Sequence, residues 1–488
     1  MIILFTITEI FNNFFLTYAL ILFAAYVSVA ILSTIELRFY LKKNKYFDYN
    51  SILSYKELPS ISIIAPAFNE EASIVENIRS LILIYYPKIE VIIVNDGSTD
   101  ESMQTIIEHY ELVKVNMAID EKIETKKVRG IYKSLNKAYD NLIVVDKSNG
   151  GKADALNAGI NVSRSDLFLA VDVDSIIEPD ALLKLVKPFL EEEGGRKVIS
   201  SGGVVRVANN CTIKDGKITE VKFPKKLIVK FQVLEYFRAF TLGRMAWSKV
   251  DGLLIISGAF GMFDREIVEK IGGYDTSTVG EDLELVVRMR KYMRDVEKTK
   301  YRVAFIPDPL CWTEVPSSYK ILGRQRNRWT RGAIDTISKH RSMIFNPKYG
   351  RIGLLSFPYW VMFEWLAPII EIIGLFYFFI LVLMGLVDFK VFFSLSLFII
   401  SFTMAFSLLA ILYESYIYNK YKGFKYLFQI IFVALAEIII FHPINVYYSL
   451  LGNFDFFVRK NKKGWGVMLR TAFDSKKQTT HGQENNKK

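Results

Sequence analysis

Residues 167–181 read LFLAVDVDSIIEPDA, an apolar run from Leu167 to Val171 that stops at two carboxylates one residue apart, Asp172 and Asp174. A short apolar run predicts a buried strand of a parallel sheet, and such strands end at the edge where open α/β folds bind ligands. Two acids at that edge are uncompensated charge unless they hold a cation. Hard oxygen ligands suit Mg²⁺ or Mn²⁺ bound to phosphates. Asp-x-Asp alone is a weak signal, because most such triplets are turns or solvated loops. Its weight comes from what surrounds it.

Across residues 58–315, apolar strands alternate with amphipathic helical stretches. ISIIAPA (61–67) precedes a helix expected over 70–83, and IEVIIVND (89–96) one over 98–110. LIVVDK (142–147) precedes a helix from 153, and the 167–171 run one over 179–190. This alternation predicts an α/β domain, a Rossmann-like, mainly parallel sheet with helices on both faces. The polar residues 120–141 read as a surface excursion.

Five further segments bring chemistry, each with a plainer reading beside it. In PAFNE (66–70) the backbone turns at a strand end, and Asn69 and Glu70 open the next helix; a capped loop fits equally. Asp96-Gly97-Ser98 offers a carboxylate to a base or ribose and a helix start to an anion, although an Asp-Gly turn needs neither. In NGGKADALN (149–157), glycines followed by Lys152 at a helix start suit phosphate, without meeting the Walker A spacing; a loop with an exposed lysine is the alternative. SGAFG (257–261), with Gly258, allows close backbone approach to a ligand. In GEDLE (280–284), Asp282 opposite the metal site can take a proton from a hydroxyl, while acids also stabilise any helix start.

The last motif is QRNRW (325–329). Gln325, Arg328 and Trp329 stand at i, i+3, i+4 and share one helix face. They offer an amide, a guanidinium that can fork onto a diphosphate, and an indole on which a sugar can stack. An interfacial Trp with snorkelling arginines would look the same.

The chain has 488 residues, more than one core usually serves, and 51% are hydrophobic, concentrated in the flanks. Residues 10–35 carry no charge and are long enough to span a bilayer. They are too long for a cleaved signal peptide and lack its basic leader. With their basic flank they form an N-terminal membrane unit, residues 1–45. Arg38, Lys42, Lys43 and Lys45 follow, which puts the next domain on the cytoplasmic side. Residues 317–345 are basic and Trp-bearing, as an interfacial helix would be.

Within 354–452 lie three more span candidates: 357–387, broken by Glu364 and Glu371; 391–413, uncharged; and 426–450, with Glu437 and Pro443. That count would leave the basic tail 453–488 (Arg459, Lys460, Lys462, Lys463) outside. Either one segment is re-entrant or interfacial, or the tail breaks the charge rule. The last segment is the one expected to be short. The net charge of +11 is scattered beside apolar runs, which points to membrane lipids and away from nucleic acid. Cys211 and Cys311 form no recognisable pair, and the four dispersed histidines build no metal cluster or triad.

In this order the motifs resemble the membrane-embedded family-2 glycosyltransferases: cellulose, hyaluronan and chitin-oligosaccharide synthases and, most closely, poly-N-acetylglucosamine synthases. The resemblance runs from Pro59 to about Arg470. It implies a GT-A fold flanked by transmembrane helices, a UDP-sugar donor (UDP-GlcNAc or UDP-Glc) and Mg²⁺ or Mn²⁺. Asp96 would contact the base, Lys152 the diphosphate, Asp172 the nucleotide and Asp174 the metal. Asp282 would be the general base. Gln325 and Arg328 would hold the leaving diphosphate, with Asn69 and Glu70 also on the donor side. Trp329 would stack on the acceptor, with Gly258 beside it, and Thr313-Glu314-Val315-Pro316 matches the family's T-E-x-P element.

The chain departs from cellulose synthases in lacking their cyclic-nucleotide-binding domain and a phenylalanine-led gating loop, and it has fewer spans. The expected activity is inverting, processive transfer onto a growing β-linked polysaccharide at the cytoplasmic membrane face, with an accessory membrane subunit as a further partner. The alternatives are single-sugar transfer to a lipid carrier, or a non-catalytic transport or scaffold subunit, for which the intramembrane Glu364, Glu371 and Glu437 speak.

Overall fold

A computed structural model describes residues 2–460 apart from 192, 215, 419, 420 and 422. The tail beyond 460, with Lys462 and Lys463, lies outside the described residues. The strands are β1 (Ile61–Ala67), β2 (Ile89–Asp96), β3 (Leu112–Val115), β4 (Val128–Ser134), β5 (Leu142–Lys147), β6 (Leu167–Val171), β7 (Ile176–Ile177), β8 (Lys197–Val207), β9 (Thr212–Lys214), β10 (Lys217–Glu220), β11 (Phe260–Asp264) and β12 (Tyr301–Thr313). Ten of them form one sheet in the order β3-β4-β5-β2-β1-β6-β11-β8-β12-β7.

The centre, β5-β2-β1-β6, is parallel, because its Val/Ile/Leu runs are buried on both faces. Both flanks add antiparallel pairs, β3-β4-β5 on one side and β6-β11-β8 on the other. Parallel strands point the same way, so Ala67, Asp96, Lys147 and Val171 end along one edge. The loops with chemistry are collected there. One expectation is corrected: the polar 120–141 stretch is not all surface excursion but contains β4, paired with β5. Only Ile131 of β4 is buried, so its sequence carries almost no apolar alternation.

The first helices are α1 (Ile2–Asn44), α2 (Ile74–Ile82), α3 (Ser102–His109), α4 (Lys152–Val162), α5 (Ala181–Glu191) and α6 (Leu227–Phe237). They are followed by α7 (Met245–Lys249), α8 (Arg265–Lys270), α9 (Glu281–Tyr292) and α10 (Tyr319–Lys339). Asn69, Glu70 and Ser98 therefore do not open helices as expected. Asn69 sits at φ 55°, which no helix tolerates, and α2 begins only at Ile74. α3 begins at Ser102, whose N–H donates to Asp100 at 3.1 Å.

The C-terminal helices are α11 (Phe357–Tyr359), α12 (Ala367–Leu383), α13 (Phe389–Ile417), α14 (Phe424–Ala436) and α15 (His442–Phe457). Three described helices are long and apolar enough to cross a membrane: Thr8–Asn44, Phe389–Ile417 and Tyr426–Phe457. Ile352–Trp365 and Ala367–Leu383 meet at a 47° bend, the geometry of a broken span or of a re-entrant pair. The break thus falls on the first C-terminal segment, whereas the sequence pointed to the last. Pro443 lies inside this last helix, just past the widened π-helical turn Glu437–Phe441, where the helix passes into α15 without a break and absorbs the missing N–H.

The domain is fastened to these helices by polar contacts. Arg206 of β8 forms a buried forked pair with Glu414 of α13 (Nη2–Oε2 2.5 Å). α10 lies along α15, where a side chain at Gly323 would run into the Tyr448 ring at 2.2 Å and Asn327 donates to Asp455 at 2.7 Å.

Candidate active site

At the collecting edge, Asp96 is buried and accepts from Lys147 Nζ at 2.7 Å and from the Gly150 and Gly151 amides at 3.0 and 2.7 Å. Its carboxylate therefore shapes the glycine loop that leads into α4. Lys147, wholly buried, also lies 3.4 Å from Asp154. The sequence reading missed it, since it looks like the last residue of an apolar strand. Removing it would leave two buried carboxylates with backbone N–H donors but without their cation, a loss of up to about 3–5 kcal/mol.

Lys152 is the first residue of α4, and its Nζ bonds to the Asp172 carboxylate and to the Gly258 carbonyl (2.7 Å). Burial opposes its charge, but Asp172, Glu281 and Asp282 outweigh it and hold the ammonium above its ordinary range. The Asp172 N–H donates to the Ala259 carbonyl at 3.2 Å, continuing the β6–β11 ladder that sets Val171 opposite Phe260. Asp174 follows, buried.

Gly258 joins the two halves of the site. Its carbonyl holds Lys152, and a Cβ there would sit 2.6 Å from Asp282 Oδ2, so the bare backbone of this bend before β11 gives the carboxylate room to lie against it. Asp282 is the second residue of α9. The start of α9 is pressed onto α10 through two glycines: a Cβ on Gly280 would be 2.8 Å from the Gly332 α-carbon. This contact brings the acids of 280–284 to the helix that carries Arg328 and Trp329.

Glu281 is a member of the site that the sequence reading passed over. Burial first, then the neighbouring Asp282 charge, push its carboxyl up to about 7, against Lys152 and Arg328. Two adjacent acids at a helix start were the available signal; ordinary helix-start acidity explained them too well. Since the folded pKa lies above the unfolded value, the ionised form destabilises the fold increasingly as pH rises from about 4.5 through 7. Glu281→Gln is expected to raise the melting temperature by several degrees at pH 8.5 and by almost nothing near pH 4.5. Thermal denaturation in detergent at both pH values checks it, and an equal gain at both would sink the assignment.

On α10, Trp329 is 42% exposed, with the Arg326 guanidinium 4.4 Å from its ring centroid. Arg326 is itself forked onto Glu235 of α6 at 2.7 and 2.5 Å, so the indole rests on an immobilised cation. Arg328 lies within electrostatic reach of Glu281, and Gln325 is half-buried one turn earlier. Asn69 and Glu70 lie at the same sheet edge but bond the loop after β2. Asn69 accepts from the Thr99 N–H at 2.8 Å, and the Glu70 N–H donates to Ser102 Oγ at 2.9 Å. Lys152, Asp172, Gly258 and Asp282 are thus in direct contact, and Glu281 and Arg328 are joined to them electrostatically.

The pattern of the family described as "Glycosyltransferase like family 2" matches residues 59–332, more than half of the chain. "Probable glycosyltransferase YdaM" of Bacillus subtilis is 28% identical over 307 residues, 61% of this chain, and the match spans 60% of that protein's length. The poly-beta-1,6-N-acetyl-D-glucosamine synthase of Staphylococcus aureus strain COL is 25% identical over 367 residues, 75% of each chain. A mannosyltransferase from Pyrobaculum calidifontis, solved with GDP-Man and Mn²⁺, superposes with a TM-score of 0.50 at 17% identity, covering 82% of this chain and all of that one. That likeness is one of fold: GT-A.

Proposed function

The chain belongs to the family-2 glycosyltransferases, and on that premise we propose that it extends a β-linked polysaccharide processively, with inversion, from UDP-GlcNAc or UDP-Glc at the cytoplasmic membrane face. The relation to a poly-β-1,6-N-acetyl-D-glucosamine synthase over three quarters of both chains supports polysaccharide synthesis. The observation that carries the reading is the meeting at Gly258, where a phosphate-suited lysine and the Asp282 carboxylate approach one backbone position from two sides. The basic flank of α1 supports the cytoplasmic placement.

In this reading Lys152 and Arg328 hold the diphosphate, with Gln325, Asn69, Glu70, Asp96 and Asp172 on the donor side. Trp329 carries the acceptor ring beside Gly258. The acceptor oxygen forms a bond to the anomeric carbon as the carbon–diphosphate bond breaks. The electron pair leaves with the nucleoside diphosphate, and the hydroxyl proton goes to the Asp282 carboxylate. One base suffices, whereas a glycosidase needs two flanking carboxylates.

Of the two acids, Asp172 is bonded to Lys152, and the buried Asp174 is the one that suits a hard cation. No cluster of three or more His, Cys, Asp or Glu side chains forms among the described residues, and Mg²⁺ or Mn²⁺ that binds through substrate phosphates and water needs only one or two protein carboxylates. Bound at Asp174, such an ion would supply neutralisation of the leaving diphosphate.

Purified protein given a panel of UDP-sugars with Mg²⁺ or Mn²⁺ should yield a product that lengthens with time. A product that partitions with lipid after one addition would replace polymerisation by transfer to a lipid carrier. No transfer from any nucleotide sugar would leave the non-catalytic reading.

A further inference from the structure

His340, at the C-terminal end of α10, is buried and lies 3.1 Å through Nε2 from Glu284 Oε1. Glu284 is on α9, two residues beyond Asp282. It also takes Arg288 Nε at 2.9 and 3.1 Å and Nη2 at 2.9 Å, and Arg288 Nη2 in turn donates to the Gly273 carbonyl at 2.6 Å. Burial opposes the Glu284 charge, but His340 and Arg288 prevail and hold the carboxyl below its ordinary range. An ionised acceptor fixes the tautomer: Nε2 donates. His340 Nδ1 has no hydrogen-bond partner among the described residues, so the imidazole makes its side-chain bond to Glu284.

We propose that His340 is a positioning residue that sets the angle between the helix carrying Asp282 and the helix carrying Trp329; this rests on the proposed function. The reasoning is one of leverage. α10 is immobilised on α15 and, through Arg326, on α6. Against it, α9 has the Gly280–Gly332 contact, which fixes one point; Arg288 and Arg290 tie α9 to Gly273 and Asp251, not to α10. The apolar residues of α9, Leu285, Val286 and Val287, pack in the core without directional bonds. His340 lies eight residues beyond Gly332, about 12 Å along the axis, and its bond to Glu284 supplies the second point. Next to it, Lys339 holds the loop leading into α9 through Asp275 and Ser277, at 2.7 and 2.9 Å. Two points define an orientation where one does not. Asp282 lies between them in the chain, so a turn of α9 moves its carboxylate relative to Trp329 and leaves Lys152 and Asp172 where they are.

The test compares His340→Leu, which loses the bond, with His340→Gln, whose amide N–H can still donate. In the full-length protein in detergent, His340→Leu should lower kcat for elongation about 10- to 100-fold and shorten the product, with UDP-sugar Kd unchanged within twofold. His340→Gln should recover at least a third of the wild-type rate. Unaltered elongation by His340→Leu, or a parallel loss of donor binding without rescue by glutamine, overturns the proposal. If His340→Leu does not accumulate, Lys339→Ala at the partly exposed neighbouring tie should give the same split, smaller in size, and an unchanged product length there is equally fatal. A wild type that elongates nothing refutes the proposed function itself; an elongating wild type with an indifferent His340→Leu refutes only the positioning role.

Discussion

Asp282→Asn should bind UDP-sugar as the native protein does and transfer sugar about 10²- to 10⁴-fold more slowly, the span that general-base catalysis supplies. Asparagine keeps the shape that lies against Gly258, so the contact between the start of α9 and the bend before β11 survives. What it loses is the capacity to take the hydroxyl proton. A second consequence follows from the neighbouring acid. The Asp282 charge is one of the two forces that raise Glu281 to about 7, so its removal should lower the Glu281 titration and leave only burial to hold it up. Isotope incorporation from labelled UDP-sugar, with donor calorimetry on the same preparation, reads both halves. Turnover near the native rate would remove Asp282 from the chemistry, and lost donor binding would mean that it serves the donor instead.

The parallel centre of the sheet was legible because its apolar runs are uninterrupted and each ends in a polar motif. Strand β4 was not, since it sits near an edge with one buried residue and looks like loop. The faces of α10 could be read from spacing alone, and Gln325, Arg328 and Trp329 do share a helix. Pairings between distant segments were invisible for a different reason. Lys147 meets Asp96 across 51 positions, and His340 meets Glu284 across 56, so no local pattern announces either. Asp96 illustrates the limit. Its position at a strand end was correctly identified, but its oxygens turn inward to order the glycine loop. The helix starts expected at Asn69 and Ser98 failed because a left-handed asparagine and an Asp100 turn intervene, features of backbone and not of hydrophobic pattern.

Asp174→Ala is the other substitution expected to be severe, and it acts on a different quantity. Asp172 already has a cation, the Lys152 ammonium, which also holds the Gly258 carbonyl. Asp174 is the buried acid two residues on, proposed above to hold the divalent ion. Truncating it should therefore remove Mn²⁺ binding and leave the Lys152–Asp172–Gly258 contacts in place. Charge neutralisation at a leaving diphosphate is a matter of several kcal/mol, so activity should fall at least about 10²- to 10³-fold, and added Mn²⁺ should no longer stimulate what remains. Calorimetric titration with Mn²⁺ in the presence of UDP gives a readout independent of turnover. The contrast with Asp172→Ala sharpens the test, because that change also deprives Lys152 of its partner and should weaken UDP binding even without metal. Mn²⁺ affinity that survives Asp174→Ala would move the ion to other ligands, and a metal-independent, active variant would remove the need for it.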